Sequence, residues 1–233
     1  MEYIESNGTQ YIDTGYYWTS EKATIVADLA VTTWKASSTI FGSEERYSGT
    51  SRYFAHILHA GSANGSYANY IGEGNSGTTT LSLGTRSVIE YIAHGDKTFS
   101  TKVTNSSGTT TYVNKASYTG SILTHQNSTQ TAENKGNIYI FANHNAYNGT
   151  DGIQKMGGMK LYRFTMYDND ICVRDFIPCK RKSDNIAGLL DLTSGQFYVS
   201  PTGNFIHGPE TILDETFEVV SKGLVKGRNF IEY

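Results

Sequence analysis

Apolar and polar residues alternate with a period of two along most of this chain, most visibly over residues 137–182. There Tyr162, Phe164 and Met166 are expected on one face of a strand, with Arg163, Thr165 and Tyr167 on the other. A helix would need apolar residues three and four positions apart. Asp168, Asn169 and Asp170 supply a turn, because Asn and Asp tolerate left-handed backbone and bond their own main chain. The extended pattern resumes at Ile171 and runs into Pro178. Residues 137–182 therefore read as two strands separated by a polar loop, then a tight turn and a third strand.

The same pattern predicts strands elsewhere. Residues 3–15, YIESNGTQYIDTG, read as an N-terminal hairpin about Asn7-Gly8, a dipeptide suited to positive φ. Ile25, Ala27, Leu29 and Val31 mark one core face, residues 39–42 continue as a strand, and residues 52–59 carry apolar side chains on both faces, as a central strand does. Residues 67–72 form a further strand and GEGNSGTTT, from Gly72 to Thr80, a plain loop. Residues 88–113 read as a meander of strands with short turns. Residues 114–136 are polar apart from Ile122 and Leu123, and read as a surface loop that touches the core once. Residues 187–199 hold a strand, a turn at Thr193-Ser194-Gly195 and a second strand, with a last short strand at residues 204–206. The fold class is all-β.

Composition agrees with that reading. The 233 residues include 24 Gly and 17 Tyr but only 3 Pro, which favours many short strands joined by Gly- and Asn-rich turns. A chain of this length can bury a full core as one domain. The formal charge is −3, and no basic run exceeds Lys180-Arg181-Lys182, so nucleic acid is not an expected partner. No stretch approaches the roughly 18 apolar residues of a membrane span, and the first residues lack the basic and apolar regions of a secretion signal. Neither membrane insertion nor export by a leader is expected.

The chemistry-bearing residues are sparse. Cys172 and Cys179 lack a second ligand pair at metal spacing and read as ordinary thiols. His56 and His59, three apart on a strand, point to opposite faces and cannot share an ion. Successive Glu44 and Glu45 also face opposite ways if extended, and Asp168 and Asp170 read as solvated turn residues. There is no Gly-x-Ser-x-Gly elbow and no Walker loop.

TQYIDTG (residues 9–15), VIEYIAHGDKTFSTKV (88–103), GGMKLYRFTMYDND (157–170) and VRDFIPCK (173–180) resemble, in that order, segments of the concanavalin A-like, laminin G-like β-sandwich superfamily. More narrowly, YIESNGTQYIDTG with RDFIPCK (174–180) and GLLDLTSGQFY (188–198) resembles domains of bacteriophage virion and tail proteins and of gut bacterial surface proteins. The resemblance covers residues 1–208. It implies a jelly-roll β-sandwich of two antiparallel sheets. Residues 209–233, with few turn dipeptides and a mixture of charged and apolar residues, read as an appended C-terminal arm that packs on its own domain or on an assembly partner.

Such folds host lectins, glucanases, adhesion modules and structural proteins, so function has to come from a site. Glucanases of this fold carry an ExDxxE arrangement on one strand; the chain has none, and is expected not to be an enzyme. The candidate glycan-binding residues are Asn143, His144, Asn145 and Tyr147, in a polar loop over residues 143–148, together with Trp34 and Tyr53. No cofactor is expected; calcium is the one ion considered, with oxygens from Asp151 and Asn143. Two functions follow from the resemblance. One is a virion protein, a head decoration, fibre or tail component, that contacts other virion subunits or copies of itself and touches host polysaccharide. The other is a free-standing lectin of a bacterial surface.

Overall fold

In the computed structural model the alternating segments become strands packed in two layers. The structure describes residues 1–33, 38–47, 50–58, 65–123, 136–147, 150–154 and 156–210. At 46–47, 50–52, 55–58, 66, 75–76, 111–112, 146–147, 150–151 and 154 it describes the backbone alone. Among the described residues there is no helix.

The first sheet holds β1 (Ile4–Asn7), β3 (Lys22–Val31), β8 (Arg86–His94), β9 (Thr98–Asn105), β10 (Thr110–Ser117), β14 (Gly158–Asp168), β15 (Ile171–Lys180), β16 (Ala187–Asp191), β17 (Phe197–Tyr198) and β18 (Ile206–His207). Its path is β10-β9-β8-β3-β14-β15-β16-β17, with β1 paired to both β14 and β18. The second sheet holds β2 (Ile12–Asp13), β4 (Thr39–Tyr47), β5 (Thr50–Leu58), β6 (Ser66–Gly72), β7 (Gly74–Thr80), β11 (Tyr139–Ile140), β12 (Asn143–Tyr147) and β13 (Thr150–Gln154). Its path is β13-β12-β4-β5-β6-β7, with β11 joining β2 to β4. All of these pairings are antiparallel except β12 with β4, which is parallel.

Alternation decides which side chains enter the space between the layers. Ile25, Ala27 and Leu29 of β3 and Ile89, Tyr91 and Ala93 of β8 are buried, while Thr24, Val26, Asp28, Val88, Glu90 and Ile92 are partly exposed. From the second sheet come Phe41, Phe54, Tyr67 and Ile71, all fully buried in the same cluster. Each such side chain removed from water contributes about 1.5–3 kcal/mol.

At four places in the strands and turns described above, the folded chain differs from the sequence expectation. Tyr162 does not share a face with Phe164 and Met166. Leu29 and Asp28 of β3 pair with Leu161 and Arg163, so Tyr162 is the extra residue of a bulge. Leu161 enters the core in its place, while Tyr162 lies under the Arg86 guanidinium at 3.8 Å and edge-on to Tyr3 at 5.5 Å. Residues 3–15 are not a hairpin: β1 joins the first sheet and β2 the second. Gly8, at φ 95°, turns the chain between them, and Ser6 donates to the Gln10 main-chain oxygen at 3.1 Å across the crossing.

Residues 74–80 are a strand, β7, paired to β6, because a polar Gly/Thr segment can still complete a ladder at a sheet edge. The fourth change concerns Asp168, which is not solvated. Its carboxylate accepts from Tyr16 Oη at 2.8 Å, from Thr19 N at 2.7 Å and Oγ1 at 2.6 Å, and from Ser20 Oγ at 2.6 Å. The turn beside it is as expected: Asn169 (φ 49°) and Asp170 (φ 66°) are both left-handed, the type I′ geometry of a two-residue hairpin.

One side of the sandwich is closed by the segment after β10. Tyr118 and Ile122 lie in the core, and Glu73 N donates to Thr119 O at 2.9 Å, so the segment crosses from one sheet to the other. Glu21 holds it through Ser121 Oγ at 2.5 Å and Lys97 Nζ at 3.1 Å. The expected surface loop is thus a strap with two anchors in the core; residues 124–135 lie outside the described residues. At the other corner, Glu2 N donates to Pro209 O at 3.1 Å and Gly208 N to Tyr3 O at 2.9 Å, so both ends of the described chain meet. Beyond Glu210, paired with Lys180, the expected arm lies outside the described residues.

Two predictions follow from these locks. A Cβ at Gly72, at φ 61°, would stand 2.0 Å from Thr119 O and 2.6 Å from the Tyr118 ring. Gly72→Ala is therefore expected to lower the unfolding free energy by about 2 kcal/mol or more in a urea titration; an unchanged midpoint would show that the strap does not press on β6.

The second concerns acid. Burial by itself would raise the pKa of Asp168, but the bonds from Ser20, Thr19 and Tyr16 outweigh it and hold the carboxyl below its ordinary range. Asp191 behaves alike: burial is outweighed by bonds from Asp175 N, Ser194 and Thr193. A lowered folded pKa contributes stability that is complete above the unfolded value, about 3.9, and is lost as pH falls through the folded one. Urea midpoints are expected to drop mainly below about pH 4, and Asp168→Asn to flatten that drop while lowering the midpoint at neutral pH.

Candidate functional site

The register of the second sheet lines up one transverse row. Gly152 on β13 pairs with Asn145 on β12, Asn145 with Glu44 on β4, Glu44 with Tyr53 on β5, and Tyr53 with Gly72 on β6. Phe54, the next residue along β5, sits in the core, so the row lies on the face turned away from it. Tyr70 stands beside Tyr53 with ring centroids 5.2 Å apart. Asn143, two residues before Asn145 and on the same face, donates its Nδ2 to Glu44 Oε2 at 3.0 Å.

The row is largely enclosed. Asn143 is 0%, Glu44 5% and Tyr53 7% exposed, and Asn145 is half-buried. The Oδ1 atoms of Asn143 and Asn145 are buried without a hydrogen-bond partner. Burial raises the pKa of the Tyr70 phenol, with smaller contributions from Tyr53 and from the negative charge of Glu44. At the Gly72 end the strap residues Tyr118 and Thr119 press against the sheet, whereas at the other end Gly152 carries no side chain.

Of the residues expected to bind glycan, Asn143, Asn145 and Tyr53 therefore belong to one patch. The polar loop over residues 143–148 is a correction: residues 143–147 are strand β12, held between β4 and β13, so their main chain is not a free rim. His144 is 1% exposed and stacks on Tyr139 at 4.4 Å with planes 8° apart; its Nδ1 lies 3.0 Å from Asn137 O. Tyr139 stacks in turn on Tyr11 at 5.2 Å, which makes His144 part of a packed aromatic group. Trp34 lies outside the described residues, as do the side chains of Tyr147 and Asp151.

Sequence reasoning missed Glu44 and Tyr70. Glu44 and Glu45 face opposite ways and so form no carboxylate pair, yet alternation from the core residue Phe41 already places Glu44 on the outer face. What no local pattern could supply was its partner, since Asn143 is 99 residues away.

Of the other buried carboxylates, Glu45 is 0% exposed on β4, while Asp168 and Asp191 hold loops. Asp191 is 0% exposed and accepts from Asp175 N at 3.0 Å, Thr193 N at 3.1 Å and Ser194 Oγ at 2.7 Å, which closes the β16–β17 turn. Both cysteines are free thiols, and burial pushes Cys179 up to about 11. Among the described residues no group of three His, Cys, Asp or Glu is placed to hold a metal.

No protein-family model and no curated protein matches the sequence. Solved structures show β-rich likenesses at low scores. Full-length tailspike protein 2 from Escherichia coli O157:H7 bacteriophage CAB120 gives a TM-score of 0.44 at 13% identity, over 70% of this chain and 22% of the tailspike. Scytalido-glutamic peptidase, solved with a peptide-based transition state analog, gives 0.39 at 15% identity, over 84% of this chain and 98% of the peptidase. The chain thus spans about a fifth of the tailspike it matches.

The packing of His144 generates a prediction. His144→Ala removes a fully buried stacked ring and is expected to cost about 1–3 kcal/mol of stability, read from urea denaturation. A loss of ligand affinity with no loss of stability would return His144 to the site.

Proposed function

We propose that this chain is a non-enzymatic structural component of a bacteriophage particle, a head decoration, fibre or tail protein, built on a concanavalin A-like jelly-roll sandwich whose second sheet contacts surface glycans. The observation that carries the binding part is the row Asn143, Asn145, Glu44, Tyr53 and Tyr70: hydrogen-bonding amides and a carboxylate beside two aromatic rings, the combination that holds sugar hydroxyls and ring faces. The virion part rests on the sequence resemblance. Two of the segments that carry it, RDFIPCK and GLLDLTSGQFY, pair with each other as β15 and β16, and the Asp191 turn ties them together.

The reading of the chain as non-enzymatic is supported by the use to which three of the four buried carboxylates among the described residues are put. Asp168 ties the loop before β3 to the end of β14, Asp191 closes the β16–β17 turn, and Glu44 is bonded to Asn143. A virion-surface location follows from this reading.

Mass spectrometry of purified particles and a glycan array with the isolated chain test both parts. The chain is expected in the particles, and Tyr53→Ala is expected to weaken the strongest array signal about tenfold or more, with the melting temperature recorded beside it. Array binding by a chain absent from particles would favour the free-standing lectin of a bacterial surface. No array signal, or a signal indifferent to Tyr53→Ala, would remove the row as a glycan site.

A further inference from the structure

We propose that one internal water molecule bridges Asn69 of β6 and Thr101 of β9, joining the two sheets from inside on the side where β7 meets β10. Two groups within the core lead to it. Asn69 is 0% exposed, and one end of its amide accepts from Thr79 Oγ1 at 3.0 Å. The other end, Nδ2, has no hydrogen-bond partner among the described residues, and neither has the hydroxyl of Thr101, which is also 0% exposed. Buried polar groups in folded proteins are met almost without exception, by protein or by ordered water.

Register sets the two groups against each other. Asn69 stands between the core residues Tyr67 and Ile71, and Thr101 between the core residues Phe99 and Val103, so both side chains point between the layers. On the first sheet Thr101 has Tyr91 of β8 on one side and Asn114 of β10 on the other. Tyr91 crosses the core to donate to the main-chain oxygen of Tyr70 at 3.0 Å, and a Cβ on Gly77 of β7 would stand 2.7 Å from Asn114 Nδ2. Asn69 lies between those two points. Ala68 pairs with Thr78 and Tyr70 with Asn75, which leaves Asn69 opposite residues 76 and 77 in a bulge of β7. The neighbours of Thr101 therefore touch the neighbours of Asn69.

Both side chains are short. Sheets pack about 10 Å apart, so an amide and a hydroxyl reaching in from either side stop short of one another and leave a separation that two hydrogen bonds of about 2.9 Å can span. The chemistry of the occupant follows from its partners. A charged species is disfavoured between neutral polar groups and aromatic rings, and an apolar one would leave both groups unmet. Water is small enough, accepts from Nδ2, and either donates to or accepts from the Thr101 hydroxyl. Two protein partners meet the minimum for an ordered internal water. Such a water is enclosed as the sheets close, and the site requires neither a net charge nor an open path from solvent.

The bridge also bears on how β7 is held. That strand ends the path of its sheet and carries Gly and Thr where its neighbours carry apolar residues. A polar link from inside supplies part of the hold that apolar packing supplies elsewhere.

High-resolution crystal structures of the full chain and of Thr101→Val, which keeps the shape and removes the hydroxyl, test the bridge. In the parent chain one water is expected within about 2.7–3.2 Å of both Asn69 Nδ2 and Thr101 Oγ1. In Thr101→Val that water is expected to be gone from this position. In solution, water–protein nuclear Overhauser spectra are expected to show a long-lived water beside the Asn69 amide, and to lose it in Thr101→Val. A direct side-chain bond to Asn69 Nδ2, an ion or another side chain at the position, or a dry core would each overturn the inference, as would the same water retained in Thr101→Val. The parent crystal structure and spectrum carry the test if Thr101→Val does not fold.

Discussion

A continuous chain of aromatic rings joins the two layers, and the rest of the sandwich is arranged around it. Trp18 meets Phe54 at 4.9 Å, Phe54 meets Tyr91 at 5.0 Å, Tyr91 meets Phe41 at 5.4 Å, and Phe41 meets Phe164 at 5.8 Å, each contact edge-to-face. Phe54 and Phe41 come from the second sheet, Tyr91 and Phe164 from the first. Offset ring contacts add about 0.5–1.5 kcal/mol each beyond the area they bury. Tyr91 keeps its polar end satisfied by donating to Tyr70 O at 3.0 Å, so one residue fixes both the distance between the sheets and their relative position. Tyr70 is in turn the residue that backs Tyr53 on the opposite face, which links the core to the outer row.

Polar groups in this structure do two different kinds of work. Asp168 and Asp191 are acceptors enclosed by loops: Thr19 and Ser20, from the loop before β3, close on the first, and Thr193 and Ser194, from its own turn, on the second. Their bonds come mostly from residues near the loops they tie, and each stabilises a corner of the first sheet. The second sheet is built otherwise. Glu44, Asn143 and Asn145 are held on strands, where backbone hydrogen bonds go to the ladder and leave the side chains to satisfy one another. They do so incompletely, with two amide oxygens unmet, and that contrast is what sets the row apart from the saturated turns.

Much of the fold was legible in the sequence because a half-buried strand writes its burial as alternation. β3, β8 and β9 and the left-handed turn at Asn169 and Asp170 follow directly from side-chain pattern and turn chemistry. The structure departs from that pattern where a feature depends on something outside the local sequence. The bulge at Tyr162 shifts one strand by a residue and reverses a face without changing composition. The crossing at Gly8 looks like a hairpin until the pairing partners, β14 for β1 and β11 for β2, are known. The strand β7 has no apolar face to reveal it, and exists because β6 offers it a ladder.

For the site, the residue types were legible and their grouping was not. The sequence alone determined that Asn143, Asn145 and Tyr53 were candidates, since amides and an aromatic ring are the chemistry that holds a polar ligand. Only the tertiary structure decided that they share one face with Glu44 and Tyr70, and that His144 belongs instead to a stack with Tyr139 and Tyr11. The reason is physical: alternation is a property of one strand, set by backbone geometry over a few residues. Register between β12, β4 and β5 is set by pairing and packing between segments far apart in the chain, which no single strand encodes.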